Sequence, residues 1–313
     1  MGNVIVILGP TASGKTQLSI ELAKRLNTEI ISADSMQVYK YMDIGTAKPD
    51  EEERDGIKHY LMDEVYPDEE FSVVKFKELA EKYIDEILSR GKIPIVVGGT
   101  GLYINSLIYN INFSETATDH ELREKLRKMA EEKGNRYLHD MLKEIDPEAA
   151  EKIHENNVKR VIRAIEVYEQ TKRPISQHQK LSRTIPAKHN YILIGLRMDR
   201  NLLYERINKR VDMMIQKGLI DEVKKLAELG YDKSMVSMQG LGYKELLSYL
   251  NNEIPLDQAI YIIKRDTRHY AKRQMTWFRR IPGIYWLDMD KFNDYSEIME
   301  NIKYYLATFG IFL

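Results

Sequence analysis

At 313 residues the chain exceeds one ordinary core, so two structural units are expected. Its 43% hydrophobic residues are enough to fill both, and the absence of cysteine excludes disulfides, cysteine-ligated zinc and a thiol nucleophile. A formal net charge of −1, from 47 basic and 48 acidic side chains, neither argues for nor excludes a nucleic-acid partner, because distribution matters more than the sum. Met1 to Val6 lacks the basic flank of a signal peptide, and no apolar run is long enough to span a bilayer, so a cytoplasmic setting without membrane contact is expected.

Val4 to Leu8 is a short β-branched run that stops at Gly9-Pro10 and reads as a buried strand. Apolar residues then recur at helical spacing through Leu18, Leu22 and Leu26. Glu29 to Ala33 reads as a second strand, Val73 to Leu88 as an amphipathic helix, and Ile93 to Val97 as a third strand. Alternation at these lengths predicts an α/β fold, a parallel sheet flanked by helices. From Asp119 to Thr171 strand signals vanish, and Val158, Val161, Ile162, Ile165 and Tyr168 mark one helix face. Tyr191 to Leu196 reads as a further strand, and Ile284 to Leu287 as a short one within a mostly helical remainder. An all-helical insertion at 114–188 inside a discontinuous core of 1–113 and 189–313 follows from this pattern.

Gly9-Pro10-Thr11-Ala12-Ser13-Gly14-Lys15-Thr16 fits G-x-x-x-x-G-K-[ST] between a strand and a helix. Its backbone N–H groups can curl around phosphate oxygens, the helix N-terminus adds partial positive charge, Lys15 adds a full one, and Thr16 can hold Mg²⁺. P-loop phosphotransferases end a strand in an Asp that helps hold the metal. Here the third strand runs into Gly98-Gly99-Thr100, which favours a diphosphate that leaves over a triphosphate that donates. Asp34 follows the second strand at the carboxyl edge of the sheet, where open α/β sheets bind ligands. A carboxylate there can be a base, a magnesium ligand or a helix N-cap. Residues 264 to 280 hold seven Lys or Arg against one acid, Asp266. Such a run is ordinarily a solvated helix face, though solvated faces usually alternate sign. Ile263, Tyr270 and Trp277 recur every seven residues there and are expected to pack into the core. Arg210, with basic neighbours at 206 and 209, reads on its own as a helix-surface arginine.

Taken together, Gly9 to Thr16, Asp34-Ser35-Met36-Gln37-Val38-Tyr39, Met42 to Pro49, Gly98-Gly99-Thr100, Asn157 to Glu166, Gln239 to Lys244 and Lys272 to Arg279 resemble, in order, the motifs of the tRNA dimethylallyltransferase family. The likeness spans nearly the whole chain and implies a P-loop NTPase-like fold. It implies transfer of a dimethylallyl group from dimethylallyl diphosphate to the exocyclic N6 amine of the adenosine 3′ of the tRNA anticodon. Diphosphate would be held by Gly9, Pro10, Thr11, Ala12, Ser13, Gly14, Lys15 and Thr16. By the same likeness Asp34, Thr11 and Arg210 are the catalytic residues, with Asp34 accepting the amine proton and Arg210 binding diphosphate. The tRNA contacts implied are Asp34, Ser35, Met36, Gln37, Thr100, Arg123, Lys159, Arg160, Val161, Ile162, Arg163, Gln239, Gly242, Tyr243, Lys272, Arg273 and Arg279. Partners are then the anticodon stem-loop and dimethylallyl diphosphate, with Mg²⁺ at Thr16 and a monomeric chain. The rivals are a small-molecule P-loop kinase, a nucleotide-sensing RNA-binding protein, and an isopentenyltransferase of free adenine nucleotides.

Overall fold

The computed structural model describes residues 1–111, 119–182 and 186–313. It divides into two compact units, Met1–Ile104 with His189–Leu313, and Asn105–Lys188. The first boundary therefore falls ahead of position 114, which itself lies outside the described residues.

The first unit carries six parallel strands: β1 (Asn3–Leu8), β2 (Ile30–Ser32), β3 (His59–Tyr60), β4 (Ile95–Gly98), β5 (Asn190–Arg197) and β6 (Tyr285–Asp288). Their order is β3-β2-β4-β1-β5-β6, so the strands whose ends carry the Gly9 and Gly98 turns, β1 and β4, are neighbours. β3 is absent from the sequence reading. Two residues at a sheet edge, between a Gly-containing turn and polar loop, are too few to show an apolar period. The other strands lie within two residues of the expected segments.

Helix α1 (Lys15–Arg25) buries Leu18, Ile20 and Leu22 on the sheet, where Ile5, Ile7, Ile95 and Ile194 meet them. Full burial of a side chain of this size stabilises by about 1.5–3 kcal/mol, so one apolar stripe anchors the loop that precedes it. α2 (Glu51–Arg54) and α3 (Val73–Ser89) follow, with Ser72 accepting the Lys75 N–H as N-cap of α3. A second core gathers α10 (Arg200–Gln216), α11 (Leu219–Glu228), α12 (Tyr243–Leu250) and α13 (Leu256–Phe278) around the loop at Val38, Tyr39 and Met42. α14 (Tyr295–Ala307) closes the chain against the sheet.

α4 (Gly101–Ile108) leads into the second unit, which is helical: α5 (His120–Lys133), α6 (Asn135–Ile145), α7 (Pro147–Lys152), α8 (Val158–Thr171) and α9 (Ile175–Ser182). Its core is one cluster in which Leu138, Leu142, Val161 and Ile165 are essentially unexposed. Buried Asp146 accepts the Ala149 N–H as cap of α7 and the Ser176 N–H of α9. No helix among the described residues is long and apolar enough to cross a membrane.

Candidate active site

The phosphate loop turns out of β1 through backbone that few residues adopt. Gly14 has φ +95° at the N-terminus of α1, and Ala12 has φ +62°. A left-handed non-glycine residue costs about 1–2 kcal/mol, so the surrounding contacts must enforce it. Lys15 folds back to donate to the Pro10 carbonyl at 2.6 Å. Burial pushes its ammonium down to about 7; nearby Arg210 acts the same way and Asp34 opposes them. The Ser13 hydroxyl is fully buried without a hydrogen-bond partner among the described residues. Arg210, half-buried on α10, forms no hydrogen bond or ion pair among the described residues, and burial lowers its pKa. A cation withdrawn from water without a counter-charge is costly, and two of them beside an unsatisfied hydroxyl define a site for an anion.

Two cavities meet here. The smaller, about 80 Å³, is lined by Thr11, Lys15, Thr16, Asp34, Gly98, Gly99 and Arg210. The larger, about 330 Å³, is mainly apolar, with Met36, Ile207, Val211, Leu219 and Ile263 in its walls. Thr11, Asp34, Thr46, Arg210 and Tyr270 line both, so they stand at the junction.

Asp34 does not cap a helix. It accepts the Met36 N–H at 2.9 Å in a local turn, which fixes the carboxylate at that junction. Thr100 Oγ1 accepts the Ser35 N–H at 3.0 Å and ties this turn to the end of β4. Gln37 donates to the Thr46 and Ala47 carbonyls and accepts from Ser32.

One wall of the larger cavity is held by a half-buried carboxylate. Glu222 accepts the N–H groups of Asp43, Ile44 and Gly45 at 3.0, 2.7 and 3.1 Å, and the Tyr243 hydroxyl at 2.7 Å. On the loop's other side Lys48, almost unexposed, donates to Asp43, Asp63 and the Tyr39 carbonyl.

Several expectations need correcting. Arg210 faces the cavities while Arg206 and Lys209 are exposed, so it is not one of a row of surface arginines. Tyr270 lines both cavities instead of packing in a core; its hydroxyl is pushed up by burial first and by Asp34 second. Ile263 is core, and Trp277 lies half-buried against Gly101. Val161 and Ile162 are 0% and 5% exposed in the second unit's core, so their side chains offer no surface to a nucleic acid. Tyr243 is 1% exposed and committed to Glu222, which makes it a cavity wall. Gly242 is likewise buried in that wall, its N–H donating to Glu245, while Gln239 is exposed at the cavity. Arg123 and Arg163 both close on Glu166, which is wholly buried and accepts from them at 2.8, 2.9 and 2.6 Å. Lys159, Arg160, Lys272, Arg273 and Arg279 are exposed and form no ion pair among the described residues; Arg273 also reaches the larger cavity.

Sequence reasoning missed Tyr270, Thr46, Glu222 and Gln274 as site residues. Gln274 is buried, accepts the Thr11 N–H at 2.9 Å and donates to the Gly99 carbonyl at 2.9 Å. A glutamine between Arg273 and Met275 in a basic helix gives no sign of that.

The IPP transferase family profile matches residues 37–281. A tRNA dimethylallyltransferase of Acetivibrio thermocellus is 72% identical over 313 residues, covering 100% of both chains. One from Thermoanaerobacter sp. is 53% identical over 306 residues, covering 97% of each. The full-length tRNA isopentenylpyrophosphate transferase of Bacillus halodurans superposes with a TM-score of 0.74 at 45% identity, over 98% of this chain and 96% of that one. A eukaryotic dimethylallyltransferase acting on tRNA superposes with a TM-score of 0.82 at 33% identity, over 98% of this chain and 80% of that one.

Proposed function

The chain belongs to the IPP transferase family, and we propose that its two joined cavities carry a dimethylallyl transfer from dimethylallyl diphosphate to the exocyclic N6 amine of the adenosine 3′ of a tRNA anticodon. It is an enzyme of the transferase class, and its fold is the P-loop NTPase-like parallel sheet. The observation that carries the site assignment is the pair of cations, Lys15 and Arg210, that line the smaller cavity together with Asp34 and have no ion-pair partner among the described residues.

The diphosphate sits in the smaller cavity, against the loop from Gly9 to Thr16. As the bond from carbon to the diphosphate oxygen breaks, charge grows on that oxygen. Lys15, Arg210, the remaining loop N–H groups and the Thr11 hydroxyl are the donors within this cavity that can meet it, Lys15 by turning from the Pro10 carbonyl, and donors held in place by the fold need little rearrangement at that moment. The adenine enters the larger cavity; a base must leave its stack to do so. Its amine is a weak nucleophile, because the lone pair is delocalised into the ring. Asp34 accepts the amine proton as the carbon–nitrogen bond forms, which prevents a cationic nitrogen from accumulating. Met36 N–H holds the carboxylate in place for that step.

Mg²⁺ keeps several waters and takes one or two protein oxygens together with substrate phosphates. The Thr16 hydroxyl, exposed at the head of α1 and lining the phosphate cavity, fits that requirement. When bound there the metal would neutralise charge on the diphosphate.

The exposed cations Lys159 and Arg160 of α8, and Lys272, Arg273 and Arg279 at the end of α13, are the phosphate-contacting candidates for tRNA. Such contacts position a nucleic acid without reading its sequence.

The deciding experiment incubates the protein with dimethylallyl diphosphate and either tRNA, AMP or ATP, followed by mass analysis of nucleosides. Alkylated adenosine from tRNA alone is the expected result. Product from free AMP or ATP would assign it to nucleotide alkylation, and phosphoryl transfer from ATP to a kinase.

A further inference from the structure

Gln274 is a polar side chain in a place where an apolar one would cost nothing to desolvate. It is 6% exposed, and both ends of its amide are used on main chain far away in sequence. Oε1 accepts from Thr11, just past the end of β1; Nε2 donates to Gly99, just past the end of the neighbouring strand β4. Gly99 has no room for a side chain, since a Cβ there would collide with this amide.

The bonds continue on either side. Thr11 lies in the phosphate loop and lines both cavities. Gly99 precedes Thr100, whose hydroxyl accepts the Ser35 N–H, and Ser35 follows Asp34. An unbroken run of covalent and hydrogen bonds thus leads from the leaving-group side, through Gln274, to the carboxylate.

We propose that Gln274 is a positioning residue for the transfer: it sets the spacing between the phosphate loop and the Asp34 turn, so that the breaking and forming bonds are in reach of one another. The proposal rests on the reading of these cavities as the alkylation site. A displacement of about 1 Å in such a geometry can cost on the order of 100-fold in rate. Gln274 also lines the smaller cavity, but both ends of its amide are taken up by main chain, so its removal leaves every catalytic side chain present but unregistered.

The test compares wild type with Gln274→Met, which keeps the bulk and loses both bonds, and with Gly99→Ala, which pushes the amide away without altering it. Single-turnover alkylation of tRNA is measured at saturating dimethylallyl diphosphate, alongside filter binding of tRNA and thermal unfolding. Each variant is expected to lose about 10- to 100-fold in the single-turnover rate, with tRNA affinity within a few-fold of wild type. Because both act on the same bond, the double variant should be little slower than Gln274→Met. A folded Gln274→Met that alkylates at the wild-type rate overturns the proposal. So does a loss that disappears as substrate is raised, since that is a binding effect. If Gln274→Met does not fold, Gly99→Ala decides by the same two criteria. A wild-type protein that alkylates no substrate would instead sink the functional reading itself.

Discussion

Asp34 in the first unit and Glu166 in the second each sit between two cations, yet the two clusters are built in opposite ways. Glu166 is unexposed and takes Arg123 through two nitrogens, Arg163 through one and the Asp119 N–H besides. Nothing of its acceptor capacity is left for a ligand. Around Asp34, Lys15 and Arg210 influence one another through space but form no ion pair with it among the described residues, and all three line the smaller cavity. A closed cluster fixes helices to one another. An open one keeps its charges apart at a cost in stability and is completed only by substrate.

The contrast breaks most sharply at Asp34. Asp34→Asn keeps the shape and an oxygen for the Met36 N–H but loses basicity. The single-turnover rate should fall by about 10² to 10⁴, with tRNA affinity and unfolding temperature nearly unchanged. Rescue by added Mg²⁺ would reassign the carboxylate to the metal, and a rate within a few-fold of wild type would remove it from proton transfer. Arg210→Ala comes next, with an expected loss of about 10² to 10³ in turnover, the range for removing one donor to a developing oxyanion. Because it removes a half-buried cation with no counter-charge among the described residues, it should leave the protein as stable as wild type or slightly more so. Equal destabilisation and rate loss would mean that Arg210 has a partner the open cluster denies it.

The same exchange at Glu166 should do the reverse. Glu166→Gln leaves two guanidinium groups short of a counter-charge. Thermal or urea unfolding should show a loss of roughly 2–4 kcal/mol, below the range for a fully buried pair because the arginines are about one-third exposed. Burial raises the Glu166 pKa, but the bonds from Arg123 and Arg163 outweigh it and the net shift is downward. Its contribution is therefore present above the unfolded value of about 4.3 and is lost as pH falls through the folded one. Loss of acid sensitivity below pH ~4 in Glu166→Gln would confirm the sign. Lys15 gives the mirror case. In the free protein its ammonium is held down to about 7, and an arriving diphosphate restores its proton. Above that pH, affinity for the diphosphate should weaken by up to about tenfold per unit, with proton uptake visible by calorimetry in buffers of different ionisation heat. Lys15→Gln should flatten that dependence.

What the sequence makes legible follows from what is local. The phosphate loop is one contiguous motif between a strand and a helix, and the helix faces at Leu18 and at Val161 repeat at fixed spacing, so each announces itself. Asp34 is legible because the end of a strand is. The closed cluster is not: Arg123 and Glu166 are 43 residues apart, and only folding makes them partners. Glu222, whose oxygens gather three N–H groups at 43 to 45, and Gln274, which reaches back 263 residues to Thr11, are hidden for the same reason. Tyr270 shares the seven-residue spacing of Ile263 and Trp277, and periodicity does not tell a cavity-lining position from a core one. Val161 and Ile162 show the complementary error. Motif membership groups them with Lys159 and Arg160, while burial separates them.

That separation yields the smallest effect and the finest discrimination. On α8, Lys159 and Arg160 are exposed and without ion pairs among the described residues, whereas Arg163 is committed to Glu166. If exposed cations contact tRNA phosphates, each releases about one counterion on binding. Lys159→Ala or Arg160→Ala should then reduce the slope of log affinity against log salt by a little under one unit. Affinity should drop only modestly and equally for all tRNA sequences. Arg163→Ala makes a different prediction, because its charge is already neutralised by a carboxylate that would otherwise repel phosphate. Its removal exposes part of that negative charge, so any weakening of tRNA binding should accompany a loss of unfolding stability. Arg163→Ala/Glu166→Gln should then recover most of the binding while remaining unstable, whereas no change at Glu166 should restore binding to Lys159→Ala. Filter binding across a salt series with urea unfolding on the same samples reads both quantities. A full unit of slope lost in Arg163→Ala, with stability unchanged, would show that the closed cluster opens to tRNA, and the distinction between the two carboxylates would fail at that point.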